Sequence, residues 1–133
     1  MRAGAQIPVF AHNGDAGMDL FSADDVVILP GSRVKIPTGI AMEIPEGYAG
    51  LIWDKSGLSL NHGLKILGGV IDAGYRGEVV VGVVNLSDED YTVRKGHKIA
   101  QMLIQKVEAP EIEEVEELSN SHRGEKGFGS TGK

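Results

Sequence analysis

Cysteine is absent from the 133-residue chain, which excludes both a disulfide framework and a thiolate metal site. Long apolar runs are absent as well, since none approaches the roughly 18 residues that a helix needs to span a bilayer. The amino-terminal residues lack the apolar centre of a secretory signal peptide. We therefore expect a cytoplasmic protein that has no membrane partner and whose fold needs no metal ion.

An excess of positive charge is also missing, because 13 Lys and Arg residues face 19 Asp and Glu residues and the net charge is −6. A general nucleic-acid binder needs a basic face that displaces counterions, so we expect no nucleic-acid partner. A single nucleotide is not excluded. A triphosphate needs only a few cations and backbone amides placed locally, with or without a metal ion.

Glycine, in contrast, is abundant, with 19 residues spread among Val and Ile runs as in the turns of a β protein. Residues 33–36 alternate polar and apolar, and residues 40–44 continue the alternation of a half-buried strand. Residues 78–84 are apolar on both faces, which predicts an interior strand or a subunit contact. Residues 99–107 are also strand-like. Frequent turns without a long helical pattern predict one all-β domain, a sandwich or jelly roll.

Two stretches allow a helix. Residues 55–63 have room for one helical turn that starts near Ser56 and ends at Gly63. Residues 111–118 place apolar side chains three positions apart, which suggests a helix. Their acidic run, preceded by Pro110, fits a solvated connecting arm equally well.

The last stretch, residues 119–133, is polar, rich in glycine and nearly free of core side chains, so we expect it to be mobile in isolation. Phe128 is the exception, because its large ring stands between two glycines with nothing local to pack on. The sequence therefore predicts a β domain at residues 1–118 followed by a flexible tail at residues 119–133.

Five segments combine glycine with polar or charged residues beyond what turns require. They are AGMDL (16–20), DKSGL (54–58), GVIDAGYRG (69–77), GHKIAQ (96–101) and RGEKGFGSTG (123–132). Each alone has an ordinary structural explanation, such as a turn, a hairpin or a disordered terminus. Chemically, the cation, hydroxyl and amides of the second segment suit an oxyanion. In the third, Asp72 has the chemistry of a base and Tyr75 the shape to pack on a sugar.

Taken together and in this order, the five segments resemble the five motifs of the trimeric dUTP diphosphatase (dUTPase) family, over residues 15–132. The resemblance implies an all-β jelly roll, or distorted β-barrel, assembled as a homotrimer with C-terminal arm exchange. Each active site would be built from three chains. In this family the region matching residues 111–118 is extended and carries the tail to another subunit, so the resemblance favours an arm over a helix.

The resemblance also implies a reaction, the hydrolysis of dUTP to dUMP and pyrophosphate, which limits uracil in DNA and supplies dUMP for dTMP synthesis. Asp72 would hold and deprotonate the water that attacks the α-phosphorus. Asp19 would act through water on a Mg²⁺ ion held mainly by the triphosphate. Tyr75 would pack under the deoxyribose and exclude a 2′-hydroxyl.

The remaining implied substrate contacts fall into three sets. The ends of a hairpin running from about residue 69 to residue 80 would read uracil through backbone groups at Gly69, Val70, Ile71 and Val80. A neighbouring chain would hold phosphate oxygens with Lys55, Ser56, Gly57 and Gln101. The tail of a third chain would close the site, with Phe128 over the base, Arg123, Ser130 and Thr131 on phosphates, and Gly129 beside them.

The second segment departs from the family pattern at two positions. The family usually has arginine where this chain has Lys55, and commonly proline where it has Asp54. Lysine is a point charge that cannot form the bidentate fork of arginine to a phosphate. Asp54 is expected to add negative charge beside Lys55.

Two other functions fit the same fold. A dCTP deaminase-like enzyme carries a catalytic glutamate three residues before an asparagine on the strand after the hairpin. Counting back from Asn85 gives Gly82, which disfavours deamination. A non-catalytic nucleotide-binding regulator would be expected to lose Asp72 or the closing tail, and this chain keeps both.

Overall fold

The computed structural model describes residues 2–127, and its secondary structure is almost entirely β. The described elements are β1 (Met18–Phe21), β2 (Val26–Ile28), β3 (Arg33–Pro37), β4 (Tyr48–Trp53), α1 (Ser56–His62), β5 (Leu64–Leu67), β6 (Val70–Ile71), β7 (Val80–Asn85), β8 (Tyr91–Val93) and β9 (Lys98–Lys106). The prediction of an all-β fold is confirmed. No helix in the described part of the chain has the length and apolar character of a membrane span.

The strands form three antiparallel sheets that enclose one core, in the jelly-roll arrangement. Their orders are β1-β9-β4-β6, β3-β7-β5 and β2-β8. The long strand β9 lies between β1 and β4, so that Met102 is opposite Met18 on one side and Ile52 on the other. The apolar side chains most completely removed from water are Leu20, Ile28, Ile36, Val79, Val81, Val83, Val93, Ala100 and Met102.

The stretch that is apolar on both faces forms β7, which begins at Val80 and is paired with β3 on one edge and β5 on the other. Val81 and Val83 point into the core and are almost fully buried. The prediction of an interior strand is therefore confirmed. A Cβ atom on Gly82 would lie 3.0 Å from the carbonyl oxygen of Leu67, because β5 passes close to the backbone at this position.

The expected strand at residues 40–44 does not form, although its burial alternates as predicted. Ile40 and Ile44 are buried, whereas Ala41 and Glu43 are exposed. The backbone contact here is a single hydrogen bond from the Val79 N–H to the Ile40 carbonyl, and a strand needs a ladder of such bonds. The alternation of apolar and polar residues therefore predicted the buried face correctly. It could not predict whether a partner strand lay alongside.

The short helix α1 runs from Ser56 to His62 and is capped by Gly63, in agreement with the prediction. Gly63 has a φ of 66°, a left-handed conformation that glycine adopts at low cost, and its N–H closes the last turn onto the Ser59 carbonyl at 3.0 Å. Residues 111–118 contain no helix, which agrees with the preference for an arm over a helix. Ile112 in this arm is 95% exposed, so its apolar side chain gains nothing from the described residues of its own chain.

Asn85, at the end of β7, is fully buried and satisfies all of its amide groups within the chain. Its Nδ2 donates to the carbonyl oxygens of Ile28 at 2.9 Å and Glu89 at 2.7 Å. Its Oδ1 accepts from the backbone N–H of Ser87 at 2.9 Å and from the Ser87 hydroxyl at 2.7 Å. One side chain thus joins β2, β7 and the turn that leads to β8.

We predict that Asn85→Ala lowers the free energy of unfolding by about 3 kcal/mol, because it leaves buried carbonyl and N–H groups without partners. Asn61→Ala, on the exposed surface of α1, is the matched control and should change it by no more than about 0.5 kcal/mol. Urea unfolding of both variants at one protein concentration measures the difference. Equal stabilities of the two variants would contradict the role of Asn85.

Candidate active site

The most completely buried charge in the site is Asp19 of β1, which lies opposite Gln101 of β9 and is 2% exposed. The ammonium group of Lys55 donates to its Oδ1, and the Lys98 Nζ lies 2.7 Å from its Oδ2. Burial raises the pKa of Asp19, but the hydrogen bonds and charges of Lys55 and Lys98 lower it by more, so that the pKa is below its ordinary value. Asp19 is therefore a permanent anion at neutral pH, matched by two cations.

A cavity of about 210 Å³ opens beside this ion cluster, and we call it the Asp19 cavity. Its lining brings together the predicted residues Asp19, Lys55, Ser56 and Gln101, although they come from three separate segments of the sequence. Gly57 follows in the first turn of α1. An ammonium, a hydroxyl and a side-chain amide around one cavity have the donor chemistry that phosphate oxygens accept.

Lys98 is a member of this cluster that the sequence did not reveal. The pairing of β1 with β9 shifts between Leu20 and Phe21, which places Lys98 instead of Ile99 opposite Phe21. Bulges of this kind redirect side chains next to active sites. The available signal was the lysine of the GHKIAQ segment, but the direction of its side chain depended on the register shift.

Gly17 matters because it makes room for Gln101. A Cβ atom at Gly17 would lie 2.6 Å from the Oε1 atom of Gln101, so a larger residue would displace this side chain from the cavity. The Nε2 of Gln101 is fixed in turn, since it donates to the carbonyl oxygen of Asp54 at 2.9 Å. The glycine of the AGMDL segment thus leaves the space that the glutamine of the GHKIAQ segment occupies.

The expectation that Asp54 adds negative charge beside Lys55 is wrong. The Asp54 carboxylate turns to β5, where its Oδ2 accepts from the Lys65 ammonium and its Oδ1 from the Ile66 N–H at 2.7 Å. Burial raises the pKa of Asp54, and the bonds from Lys65 and Ile66 lower it by more, leaving it below its ordinary value. The charge of Asp54 is therefore matched by Lys65, and Lys55 is matched by Asp19.

The GVIDAGYRG segment starts as β6, which pairs with β4 through Val70 opposite Leu51 and Ile71 opposite Gly50. The Gly69 carbonyl accepts from the Ile52 N–H at 2.7 Å. Gly69 has a φ of 128°, and a Cβ atom there would lie 2.7 Å from the Ile52 carbonyl oxygen, so no other residue fits.

The predicted hairpin between residues 69 and 80 is not a paired one. β6 belongs to the sheet of β4, whereas Val80 begins β7 in the sheet of β3 and β5. The sequence could not show that the two ends of this loop join different sheets. Among residues 2–127, no strand pairs with the outer edge of β6, so backbone groups there face outward.

Asp72 and Tyr75 lie on the loop that connects these two sheets. The Tyr75 N–H donates to the Asp72 carbonyl at 3.0 Å, which closes a tight turn, and the Asp72 side chain is exposed. The Tyr75 hydroxyl donates to the Glu78 carbonyl at 2.9 Å across Gly77, where a Cβ atom would lie 2.4 Å from that hydroxyl. The ring remains 43% exposed. Neither residue lines the Asp19 cavity of its own chain.

The tail residue Arg123 also lies apart from the Asp19 cavity. Its Nε donates to the carbonyl oxygen of Lys126 at 2.6 Å, within a local turn, and its side chain is exposed. The predicted contacts of Phe128, Gly129, Ser130 and Thr131 lie outside the described residues.

The donors around the Asp19 cavity fit a magnesium ion carried by a substrate better than one caged by protein. Residues 2–127 hold no group of three or more His, Asp or Glu side chains arranged for a metal. Asp15 and Asp19 offer the oxygen ligands that Mg²⁺ prefers, but Lys55 donates to one oxygen of Asp19 and the Lys98 ammonium lies close to the other. A carboxylate has about four lone-pair sites, so Asp19 can still accept from a metal-bound water.

Comparisons with known proteins agree with one another. The family model for dUTPase matches residues 3–132. The deoxyuridine 5′-triphosphate nucleotidohydrolase of Clostridium tetani (strain Massachusetts / E88) is 48% identical, covering 100% of this chain and 93% of that protein. The protein of the same name from Thermobifida fusca (strain YX) is 50% identical over 95% of this chain and 72% of that protein.

Solved structures show the same relationship. A mutant dUTPase of Staphylococcus bacteriophage 80alpha, solved with dUpNHpp, superposes with a TM-score of 0.92 at 37% identity, covering 98% of this chain and 94% of that one. A mutant dUTPase from phage phi11 of S. aureus, whose structure concerns the coordination of a structural Mg(II) ion, gives a TM-score of 0.81 at 34% identity, covering 86% of this chain and 92% of that one. This chain therefore belongs to the dUTPase family.

Proposed function

We propose that this hydrolase converts dUTP to dUMP and pyrophosphate, with a water molecule held by Asp72 attacking the α-phosphorus. The observation that carries the proposal is the Asp19 cavity, where Lys55, Ser56 and Gln101 surround a carboxylate already neutralised by lysines. Such a cavity accepts a polyanion. The 80alpha dUTPase, similar over nearly the whole chain, was solved with the nucleotide analogue dUpNHpp.

The division of labour follows from charge. A water that attacks a phosphorus atom meets a polyanion, so cations and hydrogen-bond donors must offset the charge that builds up in the transition state. Lys55, Ser56, Gly57 and Gln101 would supply those donors. Asp72 would orient the water and take its proton. Its exposed position on a tight turn leaves its carboxylate accessible to that water and to a bound nucleotide.

Recognition of the base would use the outer edge of β6 and the start of β7. Strand edges carry fixed N–H and C=O groups, which can pair with the polar edge of uracil as they pair with a neighbouring strand. Gly69, Val70, Ile71 and Val80 would provide these groups. Tyr75, held by the Glu78 carbonyl, would lie under the deoxyribose.

A homotrimer with shared sites would bring the loop that carries Asp72 and Tyr75 next to the Asp19 cavity of another chain. Asp72 and Tyr75 lie outside the Asp19 cavity of their own chain, so we propose that the cavity of a neighbour receives the triphosphate. The exposed arm at residues 111–118 would carry the tail to a third chain, where Phe128 covers the base and Arg123, Gly129, Ser130 and Thr131 approach the phosphates. Ordering such a tail has an entropic cost, which the closing contacts must offset.

Magnesium would enter with the substrate. Bound to the triphosphate, Mg²⁺ would offset phosphate charge, and Asp19 would accept hydrogen bonds from its water ligands. Because dUTP belongs to the intracellular nucleotide pool, the proposed compartment is the cytoplasm. The proposed role is to limit uracil in DNA and to supply dUMP for dTMP synthesis.

The first experiment compares substrates. Purified protein with Mg²⁺ should release pyrophosphate from dUTP and up to ~10⁴-fold less efficiently from dCTP, because cytosine leaves backbone groups at the base site unpaired. UTP should also fail, since its 2′-hydroxyl meets the ring of Tyr75. Pyrophosphate release is the measurement. Comparable rates with all three nucleotides would refute uracil recognition, and release of ammonia from dCTP would indicate a deaminase.

The second prediction concerns the base. Asp72→Asn keeps the shape of the side chain but cannot take a proton, so kcat should fall at least ~100-fold while nucleotide binding stays within a few-fold. Asp88→Asn, another exposed aspartate on a turn, is the control and should leave kcat unchanged. Steady-state kinetics with binding of a non-hydrolysable analogue separates the two effects. An Asp72→Asn kcat within threefold of wild type would remove Asp72 from this role.

The third prediction tests the shared site. Asp72→Asn chains and chains lacking residues 123–133 should each be nearly inactive, yet active when unfolded and refolded together in equal amounts. In a random trimer half of the sites receive an intact Asp72 and half of those a complete tail, so about a quarter of wild-type activity should return. Light scattering should give about three times the 14.1 kDa chain mass. No recovery in mixed trimers would show that each site uses a single chain.

A further inference from the structure

Two residues, Asp54 and Lys55, connect the end of β4 to the start of α1. The position of Lys55 therefore depends on how firmly this corner is held. The helix supports the corner mainly through Leu58, which packs against the core, since none of the residues of α1 is fully buried. Lys55 itself, the residue before the first turn, makes no side-chain capping bond.

Asp54 is held from both sides of the corner. On one side its carboxylate accepts from the Ile66 N–H at 2.7 Å and from the Lys65 ammonium, both on β5. On the other side its carbonyl oxygen accepts from the Nε2 of Gln101, at 2.9 Å, on β9. Strands β5 and β9 belong to different sheets, so Asp54 fastens the corner to two parts of the barrel at once.

Because Lys55 follows Asp54 directly, fixing the backbone at Asp54 also fixes the backbone position of Lys55. The carboxylate of Asp19 that receives the Lys55 ammonium is itself fixed in β1, with 2% exposure. Because a lysine side chain is long and flexible, its ammonium is confined to the cavity only when its backbone is fixed and Asp19 holds its tip. The carboxylate of Asp54 is already matched by Lys65, so its direct charge adds little at the cavity.

We propose that Asp54 is a positioning residue, whose side-chain bonds to β5 hold the corner that presents Lys55 to the phosphate groups of the substrate. The inference rests on the proposed function, because Lys55 is there a phosphate ligand. It explains why an acidic residue can stand beside a phosphate-binding lysine without opposing it. The bonds of Asp54 replace free rotation of the corner with a fixed direction.

Four variants test this proposal by steady-state kinetics with dUTP. Asp54→Ala removes both bonds to β5 and should lower kcat/KM about 10-fold, since misplacing one substrate contact costs this much or more. Asp54→Asn keeps an oxygen acceptor for the Ile66 N–H and should stay within about threefold of wild type. Lys65→Met should lie between these two. Asp88→Ala makes the same charge change at an exposed turn and should have no effect.

The decisive measurement is a double-mutant cycle with Lys55→Gln. If Asp54 acts through Lys55, adding Asp54→Ala to Lys55→Gln should lower kcat/KM by less than about twofold, because the group being positioned is already gone. If the kcat/KM losses of the two single variants multiply in the double variant, the proposal is overturned. A kcat/KM of Asp54→Ala within twofold of wild type would also overturn it. An Asp54→Asn loss as large as that of Asp54→Ala would also overturn it, since charge would then be the cause.

Nuclear magnetic resonance of protein labelled at lysine tests, without substrate, whether Asp54 holds Lys55 in place. Failure of this proposal is therefore distinguishable from failure of the proposed function. A held Lys55 should show two separate Hε signals, identified by their loss in Lys55→Gln. These signals should merge in Asp54→Ala and stay separate in Asp54→Asn and Asp88→Ala. Merged signals in the wild type, or separate signals in Asp54→Ala, would show that Asp54 does not hold Lys55.

Discussion

The antiparallel pairing of β9 with β1 on one edge and β4 on the other is the constraint on which the candidate site depends. It sets Gln101 opposite Asp19 on one side and opposite Trp53 on the other. The corner after Trp53 then delivers Lys55 to Asp19. Residues far apart in the sequence reach one cavity because a single register fixes all of them. A slip of one residue would turn Gln101 and Asp19 to opposite faces of the sheet.

The charges of the site are arranged so that the buried carboxylate of Asp19 and the partly buried carboxylate of Asp54 are each paired with lysine. Asp19 is matched by Lys55 and Lys98, and Asp54 by Lys65. An unpaired carboxylate in either place would incur a large desolvation cost and would repel a phosphate. A protein of net charge −6 can therefore present a local surface suited to a polyanion, because its acidic excess lies elsewhere, much of it in the exposed arm.

Glycines set the distances at which polar groups meet. Gly17 admits Gln101 to the cavity, Gly69 lets β6 approach Ile52, and Gly77 lets the Tyr75 hydroxyl reach the Glu78 carbonyl. A Cβ atom at any of the three would lie within 2.7 Å of a neighbouring atom. These glycines therefore work by close approach, and the motifs that contain them are geometric requirements as much as chemical ones.

Local patterns in the sequence determined the all-β fold, the interior strand β7 and the helix that follows Lys55, whereas the candidate residues Asp19, Lys55, Ser56 and Gln101 came from the order of five motifs along the chain. The local patterns succeed because alternation, turn residues and glycine act over a few neighbouring positions. The tertiary structure alone decided the sheets joined by the loop at residues 72–79, the missing strand at residues 40–44, and the direction of Lys98 and Asp54. Each of these depends on which strand lies alongside and in which register. Such long-range pairings are set by the packing of the whole core, so no short stretch of sequence contains them.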